Sequence, residues 1–595
     1  MATSLATRVA ALAVLIAALA ATGSARAQTP RPADLVLRDG RVVTEDPSHP
    51  EVQALAAREG RIVAVGADAD VARLIGPHTR VVDLHGALAV PGFIESHGHF
   101  MGLGESLMEL NLTKAHTWDD IVALVRRAAV DAKPGEWIVG RGWHQEKWDR
   151  PPRPSFQGLP YNTTLSAASP RNPVYLEHAS GHGAIVNARA LELAGIGPRT
   201  PNPPGGEIVR DARGVAIGAL EDNAVGLVSR VMAQAEAKRT PAERAARAER
   251  QVQLAAQDAI RKGITSFQDQ GESFATLALF RRLAGEGKLP IRLYAMVGSR
   301  DLAELAAQLP KFRTIGYGGD HLTIRTIGEI TSDGALGTHT AWFLQPYDDV
   351  PGTAGLNVTP MEKIRALAEL ALKDGYQVTV HAIGDRANHE TLDLFESLFQ
   401  AHPDARDLRW RIEHAQHLSP TDIPRFGRLG VIASMQGIHA CSDGPYVIKR
   451  LGEERAREGA YAWQSLLKTG AVIANGTDVP VEDEDPIPNY ACSVTRKLKD
   501  GSFFFPAQAM TREQALRSYT RDAAYAAFEE REKGTLAPGK LADITVLSRD
   551  LLTEPADRIP GTRVLYTIIG GKVMYQAAAT TAAAARSRRP GDVAR

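Results

Sequence analysis

Between about residue 91 and residue 530 the sequence alternates short β-branched strands with amphipathic helices, and no other feature narrows the fold as much. The strands read I-T-S-F-Q-D, L-T-I-R-T-I-G-E-I, Q-V-T-V-H, W-R-I-E-H and A-V-I-A-N-G-T-D. Apolar helical segments such as 117–131, 241–262 and 361–374 lie among them. A helix after each strand lets successive strands run parallel. Repeated over several hundred residues, the pattern predicts an α/β fold of the (β/α)8 TIM-barrel type.

Both flanks are different. Residues 28–90 contain L-V-L-R-D-G-R-V-V and I-V-A-V-G, and residues 531–576 contain L-A-D-I-T-V-L and V-L-Y-T-I-I-G-G-K-V-M-Y. These are strand patterns broken by Gly and Asp. Two strand-rich ends that enclose a different middle predict one small β domain built from both ends of the chain. A Pro/Gly-rich stretch at about 136–224 fits neither pattern and is expected as an insertion near the barrel mouth. Residues 577–595 are rich in Ala, Thr and Arg and are expected to be a disordered tail.

Residues 1–27 have a secretory pattern. Arg8 precedes the apolar run V-A-A-L-A-V-L-I-A-A-L-A, and A-R-A-Q supplies a small-residue cleavage site before Gln28. The run is short for a membrane span. The expectation is export to a bacterial periplasm or the medium, with no stable membrane anchor. Formal net charge is zero, so there is no electrostatic case for nucleic acid. A small-molecule substrate is expected, and a homo-oligomer is allowed. The two cysteines, Cys441 and Cys492, exclude a Cys-rich zinc module. An exported chain could join them.

Any metal must therefore rest on His, Asp and Glu. The strand ends supply them. The first ends in His97-Gly98-His99, a later one carries Glu329, the next two end in His381 and His414, and a late one reaches Asp478. In a barrel of this type the C-terminal strand ends face one cleft. His97 and His99 lie on one face of an extended strand, so both imidazoles can meet one ion. Histidine with carboxylate is a ligand set for Zn²⁺ or another divalent ion with an open position. Asp478 is placed to exchange a proton with water.

Six segments in order carry a resemblance: P-G-F-I-E-S-H-G-H-F, S-D-G-A-L-G-T-H-T-A, H-A-I-G-D-R-A, R-I-E-H-A-Q, N-G-T-D-V-P and G-T-L-A-P-G-K-L-A-D-I-T-V-L. Together the chain resembles the amidohydrolase superfamily, and within it the YtcJ-like group of amidohydrolase family 3. The resemblance implies a metal-dependent (β/α)8 barrel beside a composite β-sandwich, and hydrolysis of an amide or related C–N bond, not a peptide bond in a protein. It implies metal ligation by His97, His99, His381 and His414, and a catalytic role for Asp478. The group usually has Lys where this chain has Glu329, a lysine that can be carbamylated to bridge two metals. Glu329 as a direct bridge implies two ions per subunit; one ion, with Glu329 as ligand or behind a ligand, is the other arrangement. A metal-dependent isomerase or lyase would use the same ligands, and a binding protein could keep the fold.

Three residues are candidates for substrate contact. His182 falls in a segment resembling the group's G-H-x-x-x-x-N. His439 follows the seventh strand. Trp143 could wall the pocket. Asp333 is expected to order its turn.

Overall fold

The computed structural model describes residues 31–143, 145, 148–178, 183–204, 206–337 and 339–578. The expected signal segment and His182 lie outside the described residues, as does the tail after residue 578.

The barrel forms as expected. Its strands are β1 (Phe93–Gly98), β2 (Ile264–Glu272), β3 (Arg292–Val297), β4 (Leu322–Thr331), β5 (Gln377–Ala382), β6 (Arg411–His414), β7 (Ile432–Gln436) and β8 (Ile473–Gly476). Each pairs in parallel with the next. Just beyond the end of β8 the chain turns back onto β1. Asp478 donates its backbone N–H to His97 O at 2.7 Å, and His99 N donates to Val479 O at 2.8 Å. Glu95 draws the same two strands together: its carboxylate accepts His97 N at 3.0 Å and Thr477 N at 2.9 Å.

The helices form because their apolar positions recur on one face. The helix Pro241–Arg261 starts with a Thr240/Glu243 capping box and Pro at its first turn. It buries Val252, Ala255, Ala256, Ala259 and Ile260 in the core around the strands. Each fully buried branched aliphatic side chain contributes about 1.5–3 kcal/mol relative to exposure.

The flanks build the composite sandwich. One sheet runs Arg61–Gly66, Ala54–Arg58, Leu35–Arg38, Arg80–Asp83. The other contains strands from both ends of the chain, with Ile544–Leu547 antiparallel to Leu88–Pro91. Leu35, Leu37, Leu55, Ile544, Val546 and Ile568 fill the space between the sheets.

The insertion is larger than the sequence implied. Its six-stranded sheet begins at Leu110–Asn111 and ends at Ala216–Asp222. A two-residue strand carries no readable period, so the start was invisible. The helix Trp118–Asp131, read as part of the barrel alternation, belongs here instead. Its Trp118, Ile121 and Val125 pack with Trp143, Leu176 and Ile185 in a separate core. Among the described residues no helix is long and apolar enough to cross a membrane. Cys441 and Cys492 are disulfide-bonded, with Cα atoms 6.1 Å apart. The bond joins the helices Gly437–Leu451 and Pro486–Thr495, which follow β7 and β8.

Candidate metal centre

The C-terminal ends of β1, β4, β5, β6 and β8 bring His97, His99, Glu329, His381, His414 and Asp478 together. Three overlapping groups form, each with ligand atoms within 4.8 Å of one another: His97–His99–Glu329, His97–His414–Asp478 and Glu329–His381–His414. Gly98 permits this at β1, because a Cβ there would stand 2.7 Å from Phe267 Cζ and 2.9 Å from Val479 Cγ1.

Two backbone departures aim the side chains. His414 has φ +72° and Asp478 has φ +60°. Left-handed backbone at a residue with a Cβ costs about 1–3 kcal/mol and collects at functional sites. Regular alternation would send Glu413 and His414 to opposite faces of β6. The turn at His414 lets both face the barrel interior.

Glu329 is the hub. Its Oε1 lies 2.7 Å from His381 Nδ1 and 2.9 Å from His414 Nε2, and its Oε2 lies 3.7 Å from His97 Nε2. Asp478 Oδ1 lies 3.2 Å from His99 Nε2 and 3.4 Å from His97 Nε2. The His99 side chain is 39% exposed, so the cluster opens to solvent on that side.

The electrostatics call for a cation. Burial pushes the Glu329 carboxyl up, but the charges of His97 and His414 and hydrogen bonds from His381 and His414 outweigh it and hold it well below the usual range. Burial also opposes ionisation of Asp478, and the neighbouring imidazoles of His97 and His99 overcome it, so its carboxyl is held low. Burial lowers His97, yet Glu329, Asp478 and Glu413 raise it well above an ordinary imidazole. Protonated imidazoles thus supply the positive charge these carboxylates require, and a divalent ion would supply it instead. Buried His97 Nε2, between Glu329 Oε2 and Asp478 Oδ1, also has no hydrogen-bond partner among the described residues. An orphaned imidazole nitrogen between carboxylates fits a metal.

A layer of supporting contacts lies behind. His97 Nδ1 meets Glu413 Oε2 at 2.7 Å, and Glu413 pairs with Arg411 at 2.7 Å. His414 Nδ1 meets Gln436 Oε1 at 2.8 Å. Asp333 accepts backbone N–H groups from Trp342 at 2.8 Å, Ile383 at 3.0 Å and Gly384 at 2.8 Å, which orders the loop over β5. Arg300 donates to the carbonyl of Glu329. Glu413, Gln436 and Arg300 were not singled out from sequence. The one signal was R-x-E-H, two opposite charges inside an otherwise buried strand.

Of the substrate candidates, His439 is brought to the cluster. Its ring stacks 6.5 Å from that of His414, Gln416 Nε2 lies 3.1 Å from its Nδ1, and its buried Nε2 has no hydrogen-bond partner among the described residues. Trp143 is not brought there. Its indole N–H donates to Leu176 O at 2.8 Å and its ring stacks on Trp148, inside the insertion core.

Residues 80–575 match the Amidohydrolase family. The chain is 30% identical over 535 residues to the putative amidohydrolase YtcJ of Bacillus subtilis strain 168, covering 88% of this chain and 96% of that protein. It is 26% identical over 569 residues to an N-substituted formamide deformylase of Arthrobacter pascens, covering 91% and 98%. Among solved structures, an uncharacterized metal-dependent hydrolase of Pyrococcus horikoshii OT3 aligns with TM-score 0.69 at 26% identity, covering 88% of this chain and 99% of that one.

Proposed function

The chain belongs to the amidohydrolase family, and we propose that it hydrolyses the C–N bond of a small amide, with N-substituted formamides as the first class to test. One observation carries the reading: Glu329 is shared by the His97–His99 group and the His381–His414 group. A carboxylate between two histidine pairs is the arrangement of a bridging ligand, so we assign two divalent ions, Zn²⁺ first among them, to these residues. Such ions supply Lewis acidity and acidify a bound water.

The protein's own groups do the rest. Asp478, ionised and beside His99, takes the proton of the attacking water and returns it to the leaving nitrogen. His439 offers Nε2 to the substrate. The formamide class is favoured by the deformylase relative and by nothing finer. Export is a further proposal. The Cys441–Cys492 bond supports it, because disulfides persist in oxidising compartments.

Elemental analysis of wild type and Glu329→Gln tests the site. About two metals per chain falling to about one is the expected result. One metal, unchanged by the substitution, removes Glu329 as a bridge. The reaction is tested by turnover of N-substituted formamides in ¹⁸O water. Label in the released formate is expected, and an isomerised or unlabelled product overturns hydrolysis.

A further inference from the structure

We propose that Glu413 is a positioning residue for metal capture, which fixes His97 as an Nε2 ligand and makes the His97–His99 end of the site the tighter one. The inference rests on the metal-dependent reading above.

A carboxylate locked against a guanidinium is an acceptor of hydrogen bonds, and Arg411 Nε sits 2.7 Å from Glu413 Oε1. Glu413 Oε2 lies 2.7 Å from His97 Nδ1, and both side chains are fully buried. Nδ1 therefore keeps its proton, and Nε2 is the nitrogen left to give up its own proton and coordinate an incoming metal. That Nε2 is the buried atom without a hydrogen-bond partner, 3.7 Å from Glu329 Oε2 and 3.4 Å from Asp478 Oδ1. Glu413 is itself held. Arg411 Nε pairs with its other oxygen at 2.7 Å, and Arg411 Nη2 also donates to Ser96 O and Ser434 Oγ, both at 2.7 Å. With its guanidinium anchored on β1 and β7, the carboxylate cannot swing away from His97.

The other end of the site is built differently. His414 Nδ1 faces Gln436 Oε1 at 2.8 Å, a neutral amide oxygen. His381 Nε2 is 3.5 Å from Asp333 Oδ1, but that carboxylate already accepts three backbone N–H groups. A carboxylate partner raises the basicity of a ligating imidazole more than an amide does, and losing such a partner typically costs tenfold to a hundredfold in metal affinity. The first equivalent of metal should therefore settle at His97 and His99.

The experiment is titration of the metal-free full-length protein with Zn²⁺ against a competing chelator, for wild type, Glu413→Gln and Glu413→Asp. Gln keeps an acceptor but drops the charge; Asp keeps the charge but draws it back. The expected result is two unequal affinities in wild type. The tighter one weakens about tenfold to a hundredfold in Glu413→Gln while the weaker one stays in place; the melting midpoint of the metal-free protein falls in Glu413→Gln, which unpairs buried Arg411, and stays closer to wild type in Glu413→Asp, which keeps that charge. If Glu413→Gln does not fold, Glu413→Asp is expected to show the same selective loss. A folded variant whose first equivalent binds as in wild type overturns the positioning role and leaves the metal-dependent reading standing. Equal loss at both equivalents also overturns it. Wild-type protein that takes up no Zn²⁺ overturns the metal-dependent reading, and the positioning role falls with it.

Discussion

Arg292, at the start of β3, and Asp543, just before the sandwich strand Ile544–Leu547, form a two-pronged ion pair at 2.6 and 3.0 Å with both side chains 3% exposed. The pair is the polar joint between barrel and sandwich. Burial works against the Asp543 charge, but Arg292 and a backbone N–H from Gly570 hold its carboxyl below the usual range. Asp543→Ala leaves Arg292 charged and unpaired, which should cost about 3–5 kcal/mol. Denaturant melts of the variant and wild type measure the difference. A loss under about 1 kcal/mol would falsify a structural role for the joint.

His417 gives a pH dependence with a definite sign. Its ring is buried against Phe343 and Tyr461, and burial, with a smaller contribution from Arg455, pulls its pKa down to about 3. In the unfolded chain the imidazole titrates near ~6.5. Between those values the unfolded state binds the proton and the folded state does not. The folded protein is therefore favoured fully above about pH 6.5 and loses stability as the pH falls, by up to about 1.4 kcal/mol per unit from this residue. Chemical denaturation between pH 7.5 and pH 5 should show that slope, and His417→Phe should flatten it. Parallel curves for the two proteins would remove His417 as the cause.

The Cys441–Cys492 bond spans 51 residues that include β8 and Asp478. Closing a loop of that length is worth about 4 kcal/mol in the chain-entropy picture. It also ties the helix bearing His439 to the helix after the Asp478 loop. Asn489 ties the same elements, accepting Ile438 N at 2.6 Å and donating to Gly476 O at 2.6 Å. Reduction should lower the melting midpoint and raise KM more than it changes kcat. The Cys441→Ser, Cys492→Ser double variant should match reduced wild type and stop responding to reductant. A variant as stable as the oxidised protein would show that the helices hold without the bond.

The barrel was legible because its strands are short, apolar and separated by helices with a clear period. The candidate cluster was legible because His and Glu stand at strand ends that a barrel brings to one face. The composite sandwich could be read from Gly- and Asp-broken strands at both flanks. What escaped depended on contacts between segments distant in sequence. Leu110–Asn111 is too short to carry a period, so the insertion's edge was missed. Trp118–Asp131 has an ordinary amphipathic pattern, and nothing in it says which sheet it covers. Glu413 and Gln436 read as polar residues of alternating strands until β1 and β6 are set beside them.

Asp478 is the residue on which the proposed chemistry depends most directly. It sits just past β8 in a left-handed backbone conformation, with its carboxylate 3.2 Å from His99 Nε2. Asn at this position keeps an oxygen toward the histidines and removes the ability to take and return a proton. General acid–base catalysis typically contributes 10²–10⁴ in rate. Asp478→Asn should therefore lower kcat on an N-substituted formamide by about that factor with metal content and melting midpoint unchanged. Loss of metal together with rate would move Asp478 from proton carrier to ligand. A rate within a few-fold of wild type would assign the proton to another group, and His439, whose ring stacks on that of His414, is the first to substitute next.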